Sequence, residues 1–200
     1  MKERGLILRI VPYSDSSSVL KCLTASSGVQ SYFIRLGKKA RQTGHLQTGQ
    51  FIVFSAKENH KGLSGIAESY LDPDMASTNL RPHQFGVWLF TIELLNKTLP
   101  ESFNIPGLRE TIDRYFVHLA HQHISEDALT PLLLLTQAMG LIDLTGLFLE
   151  LNSPTSFNLK TLGYQINSRT NVNETELFDF HLYRFMEHFG IQKIDSLDLL

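Results

Sequence analysis

The stretch GLILRIVPYSDSSSVLKCLTASSGVQSYFIRL (Gly5–Leu36) sets the period of the front of the chain. GLILRIV alternates loosely. A polar break, YSDSSS, separates it from VLKCLTA, and SSG turns the chain into VQSYFIRL. Further on, QFIVFSA (50–56) and LSGIAESYL (63–71) are separated by KENHKG, a turn. These segments are rich in Val, Ile, Phe, Tyr and Thr, side chains that fit a pleated, half-buried surface. No helical period lies between most of them. Five short antiparallel strands in this space predict a small barrel of the OB type, with an SH3-like barrel as the alternative.

After residue 72 the pattern changes. DPDMASTNLRP (72–82) holds two prolines among polar residues and is expected to be a linker. HQFGVWLFTIELLNKTL then repeats apolar residues at three and four spacings: Phe85, Trp88, Leu89, Ile92 and Leu95, with Pro100 as the stop. PGLRETIDRYFVHLAHQHI places Leu108, Ile112, Tyr115, Phe116 and Leu119 on one face. SEDALTPLLLLTQAMG offers Ser125 as an N-cap and Gly140 past its end. LTGLFLEL is open between helix and strand, and 152–173 is polar and expected to be a long loop. NETELFDFHLYRFMEHFG has Asn173 as cap and Glu176 at capping-box spacing. Leu177, Phe180, Tyr183 or Arg184, and Phe189 mark its apolar face, and Gly190 ends it. The class is therefore α+β: a barrel domain over 1–78 and an all-helical domain over 79–200.

The 200 residues carry a net charge of −2, unevenly spread. Residues 1–80 hold ten Lys/Arg against six acids, and 81–200 hold eight against fourteen. A basic front and an acidic back suggest two modules with different partners. The longest aliphatic run, LLLL at Leu132–Leu135, is far short of the roughly 20 residues of a membrane span. The N-terminal apolar run, broken by Arg9 and Pro12, is too short for a signal peptide. A cytoplasmic protein is the expectation.

Catalytic signatures are missing. There is no G-x-S-x-G, no phosphate-binding G-x-x-x-x-G-K-[ST] and no G-x-G-x-x-G. Cys22, the one cysteine, falls mid-strand as a small hydrophobe, and one cysteine excludes both an internal disulfide and a four-cysteine zinc ribbon. HLAHQH offers His118, His121 and His123 as metal ligands. On a helix His123 lies about opposite His118, so a solvated helix end is the simpler reading and no metal is expected. Asp72/Asp74 and Glu126/Asp127 fit turn formation and helix-dipole complementarity. No enzyme activity and no cofactor are expected.

The chemistry that does stand out is RLGKKARQTGHLQTGQ (35–50), which has no acid and three glycines. Arg35, Lys38, Lys39 and Arg41 are well placed for phosphates, and glycines let the backbone approach a ligand. Tyr13, Tyr32, Phe33, Phe51 and Phe54 flank the stretch. Alternation puts Tyr32 and Phe33 on opposite faces, one in the core and one free to stack on bases. A merely solvated basic loop is the plain alternative. So are a protein-interaction module and an RNA-binding OB protein.

The first 60 residues resemble the N-terminal domain of the RecO family of bacterial recombination mediators. The likeness is carried by GLILRIVPYSDSSSVLKCLTASSGV, by FIRLGKKARQ against the family's "RG-basic-basic" segment, and by LQTGQFIVF at the entry to the fourth strand. The resemblance implies an OB-fold joined to a helical domain. It implies binding of single- and double-stranded DNA, strand annealing, and action with RecR and the single-stranded DNA-binding protein to load the recombinase. Carried over by position, Arg35, Lys38, Lys39 and Arg41 would be the DNA contacts, with Arg9, Lys21 and Lys57 as weaker additions. The helical domain would hold the site for the single-stranded DNA-binding protein's tail, with Arg109, Arg114 and Arg184 as candidates. The chain departs from many members in lacking the zinc ribbon, and its helical half is acidic, so DNA binding is expected through the barrel alone.

Overall fold

The computed structural model describes residues 2–35, 46–57, 63–76, 80–121, 182–183 and 185–196. Its front is a closed barrel of β1 (Lys2–Ser14), β2 (Ser17–Thr24), β3 (Gly28–Arg35), β4 (Phe51–Lys57) and β5 (Gly65–Leu71), in spatial order β1-β2-β3-β5-β4. β1 pairs antiparallel with both β2 and β4, and β3 closes on β5 in parallel. The closed five-stranded barrel is consistent with the expected OB type, but the expectation of an all-antiparallel set is corrected at one seam, where β3 meets β5 in parallel. The expected break at YSDSSS shrinks to a two-residue turn, because β1 runs on to Ser14. Pro12 is accommodated there beside a register shift between Pro12 and Ser14.

Alternation sorts the strand residues into two cores. Ile7, Leu20, Cys22, Tyr32, Ile34, Ile52 and Phe54 fill the barrel. Leu6, Leu8, Leu23, Val29 and Phe51 face outward and join a second core with the helices. A bulge between Ile7 and Arg9 makes this sorting possible. It lets Leu8 enter the helical core while Arg9, the next residue, stays exposed rather than turning into the barrel.

The linker region is not all coil: Pro73–Ala76 forms a short helix, α1. Asp72 accepts the Asp74 N–H at 3.1 Å and pairs with the Arg4 guanidinium at 2.9 Å, tying the end of β5 to β1. α2 (Pro82–Thr98) starts with proline at its first turn, and the Gln84 side chain accepts the Arg81 N–H at 2.9 Å. Its expected apolar stripe is wider than the sequence spacing implied. Val87, Trp88, Phe90, Thr91, Ile92, Leu94 and Leu95 are all buried, because barrel, α3 and the C-terminal segment enclose it. Phe85, expected on the core face, is instead exposed. α3 (Leu108–His121) buries Leu108, Ile112, Tyr115, Phe116 and Leu119, the face its spacing predicts.

Helices and barrel are locked by aromatic packing. Phe51, Trp88 and Phe116 form a triangle with ring centroids 4.7–5.6 Å apart. The Trp88 indole N–H donates to the Gly49 carbonyl at 2.9 Å. From the far end of α3, Arg109 donates to the Arg4 and Leu23 carbonyls at 3.1 Å and to Asp113 at 2.7 Å. Arg109 is buried, which corrects its candidacy as a partner-binding surface residue. Arg114 is exposed and Arg184 lies outside the described residues.

Near the C-terminus, residues 182–183 and 185–189 are helical, with Leu182 and Phe185 buried. Tyr183, a candidate for the apolar face, is exposed. Gly190 ends the helix in the left-handed region, φ 63°. Glu93 of α2 then accepts hydrogen bonds from the backbone N–H of Asp195 and Ser196 at 2.8 and 2.7 Å and from the Ser196 hydroxyl at 2.6 Å. LTGLFLEL, the 152–173 loop and the capping at Asn173 and Ser125 lie outside the described residues, as does most of the expected helical domain.

Two of these features have measurable consequences. Gly28 sits at φ +65°, and a Cβ there would collide with Phe103 O and lie 2.8 Å from the Asn104 Cα. Gly28→Ala should cost roughly 2 kcal/mol or more in urea unfolding, the left-handed strain adding to a backbone clash. At Glu93 burial pushes the pKa up, but the hydrogen bonds from Ser196, Asp195 and Lys97 outweigh it, and the net shift is downward. A lowered folded pKa means this stabilisation is full above the ordinary glutamate pKa of about 4.3 and is lost as the pH falls below it. The melting temperature should drop through that acid window, and Glu93→Gln should flatten that part of the profile.

Candidate nucleic-acid interface

Helices cover one part of the barrel wall and leave another bare. The covered part ends at Lys21. Its ammonium donates to the Asn96 and Leu99 carbonyls at 2.9 Å each, capping the C-terminal end of α2, where the helix dipole favours a cation. Burial lowers the Lys21 pKa, which Glu101 opposes. Beyond Lys21 the register places Val11, Val19, Phe33, Gly65 and Lys57 opposite one another, one from each strand, in a row across the outer wall. Phe33 is half-buried, and its ring is met edge-on by the highly exposed Tyr13 at 5.7 Å. Tyr32, one residue earlier, points into the barrel and packs on Phe54 at 4.8 Å. The split foreseen from alternation is the one observed.

Around this apolar strip stand three of the predicted cations. Arg9 is opposite Lys21, Arg35 ends β3 opposite Ser17, and Lys57 ends β4. All three are exposed and make no ion pair with another described residue. Lys38, Lys39 and Arg41 lie outside the described residues; Arg35 is where the described chain enters that stretch. Of the flanking aromatics, Tyr13 and Phe33 belong to the bare face, whereas Tyr32 and Phe54 fill the barrel and Phe51 lies under the helices.

Residues 1–72 match the family model described as Recombination protein O N terminal. Over those residues the chain is similar to the recombination protein O family. The match spans the complete barrel and ends at Asp72, where β5 gives way to α1. A search of curated proteins finds no match. The bare wall runs through Val19 of β2 and Phe33 of β3, and in OB-folds the strand 2–3 face binds oligonucleotides.

The other candidates from sequence have structural roles or fall outside. Cys22 is fully buried in the barrel, and burial raises its thiol pKa to about 12, so it is not a nucleophile. His118 is partly buried, and burial lowers its pKa. The His121 side chain and His123 lie outside the described residues. No helix among the described residues is long and apolar enough to cross a membrane. Sequence reading missed a hollow of about 240 Å³ where β4 and β5 meet α2, floored by Phe51, Trp88 and Phe116 and edged by exposed Leu71 and Phe85. Its residues are distant in sequence, and only the packing of α2 on the barrel gathers them.

Lys21 and Arg35 should respond differently to loss of charge. Lys21→Met removes two charge-assisted bonds at a partly exposed helix end and should lower stability by about 1 kcal/mol. Arg35→Met should leave the unfolding midpoint unchanged. Chemical denaturation of both variants checks the contrast.

Proposed function

We propose that the protein is a non-enzymatic DNA-binding recombination mediator. It binds single- and double-stranded DNA through the bare barrel wall, promotes annealing, and acts with RecR and the single-stranded DNA-binding protein to load the recombinase. The observation that carries this reading is the exposed Tyr13, edge-on to the half-buried Phe33, set among the exposed cations Arg9, Arg35 and Lys57, at the point where the chain enters the basic 35–41 stretch. The match of residues 1–72 to the Recombination protein O N terminal model supports the recombination role.

The mechanism has no covalent step. Cations capture the phosphate backbone by releasing condensed counterions, and aromatic faces stack on the bases. Strands held extended and free of internal pairing can then find each other without melting competing structure. The acidic back half adds no attraction for a polyanion, so capture is confined to one wall.

The test is a salt titration with fluorescent single-stranded and duplex DNA. If Arg9, Arg35, Lys38, Lys39, Arg41 and Lys57 each neutralise a phosphate, the logarithmic slope for a single strand is roughly −4, from about −0.7 per contact. Affinity then falls roughly two orders of magnitude between 50 and 200 mM salt. Lys38→Glu with Lys39→Glu should abolish binding. Salt-independent binding, or full affinity in the double variant, refutes the reading, and a preference for RNA over DNA would reassign the ligand.

A further inference from the structure

The hollow where β4 and β5 meet α2 sets a recess beside a knob. Its floor is aromatic, Phe51, Trp88 and Phe116, and its volume is about 240 Å³. An apolar cavity of about 150 Å³ already admits benzene, so a phenyl side chain fits this one. On its rim stand Phe85, 47% exposed, and Leu71, 43% exposed. Exposed apolar side chains gathered around a recess mark an interaction site rather than scattered surface residues. Charges flank the recess as well. Met75 and Leu80 line it, and next to them in the chain are Asp74 and Arg81. Arg81 is exposed and makes no ion pair with another described residue. Asp74 pairs with Arg4 yet keeps 70% of its side chain exposed. One patch therefore carries a knob and a recess, an anion and a cation.

We propose that two copies of the chain pair through this patch about a two-fold axis, the Phe85 of each entering the hollow of the other. A two-fold contact needs a self-complementary surface, on which each residue meets the other member of its pair from the second copy. This patch is self-complementary twice over, ring to recess and Arg81 to Asp74. An unrelated partner would call for only one half of each pair. The contact is centred on one small hollow, at the low end of interface sizes, so the pairing is reversible rather than obligate. It also leaves the bare wall open. Phe51 and Leu71 lie at one end of the β4–β5 ladder, and Lys57 and Gly65, on the bare wall, lie at the other. Along β4 (Phe51–Lys57) that is roughly 20 Å at about 3.3 Å per residue. A pair of chains thus presents two uncovered walls, one on each copy.

Analytical ultracentrifugation of the full chain tests the pairing. From micromolar to submillimolar concentration the parent should pass from the mass of one chain to twice that mass. Phe85→Glu sets a charge where the ring would be buried and should stay monomeric, and Leu71→Glu, across the rim, should do the same. Both positions are exposed, so neither variant should shift the urea unfolding midpoint. Arg81→Glu and Asp74→Lys each set like charges against each other and should each associate about tenfold more weakly. An equimolar mixture of these two should recover the parent's affinity, because both pairs are then opposite in sign again. A parent that stays monomeric throughout overturns the pairing and leaves the hollow to a different partner. A Phe85→Glu variant that associates like the parent, or a mixture no stronger than its components, overturns it too. If the parent pairs as expected but binds neither single strands nor duplex, the pairing stands and the nucleic-acid reading fails.

Discussion

The structure depends on one burial: Trp88 driven against the outside of the barrel. An OB-type barrel has an inner core that closes by itself, but this one also carries apolar residues on its outer wall. Leu6, Leu8, Leu23, Val29 and Phe51 would face water if α2 did not cover them. Trp88 fills the centre of that contact, stacked on Phe51 and tilted against Phe116, with its one polar atom satisfied by the Gly49 carbonyl. Arg109, Lys21 and the Arg4–Asp72 pair then fasten the perimeter, each by hydrogen bonds that need both barrel and helix or strand end in place.

The proposed function rests on where that cover stops. The helices take one part of the wall and leave uncovered the row from Val11 to Lys57, whose two ends are exposed and whose middle is half-buried. Lys21 marks the border, because its charge is spent on the helix end rather than left for a ligand. Arg9, immediately opposite on β1, is left exposed. Two neighbouring cations of the same sheet face thus have different fates, decided by proximity to the C-terminus of α2. The bulge at Ile7/Arg9 contributes equally, since without the added residue Leu8 and Arg9 could not both face outward.

Much of the barrel was legible in the residues themselves. A period of two, punctuated by Ser, Gly and Asn, sufficed for five strands and for the Tyr32/Phe33 split, since side-chain direction in a strand is set locally. The α3 face was legible for the same reason at a period of 3.6. The α2 face was not. Its sequence offers apolar residues on nearly every side, so spacing alone could not tell that Phe85 would be left outside while Val87 and Phe90 went in. Arg109 was likewise opaque: a lone arginine on a polar helix face looks like a surface charge until two barrel carbonyls are found within its reach.

The sequence by itself determined the strand count, the concentration of positive charge at 35–41 and the absence of a cysteine zinc site, because these depend on local alternation and on composition. Only the tertiary structure decided which cations flank an open aromatic face and which one caps a helix. It alone placed Gly65 beside Phe33 and raised the apolar hollow at the foot of α2. Those relations join residues as much as 86 positions apart, and it is the closing of the barrel and the docking of α2 and α3 that bring them together.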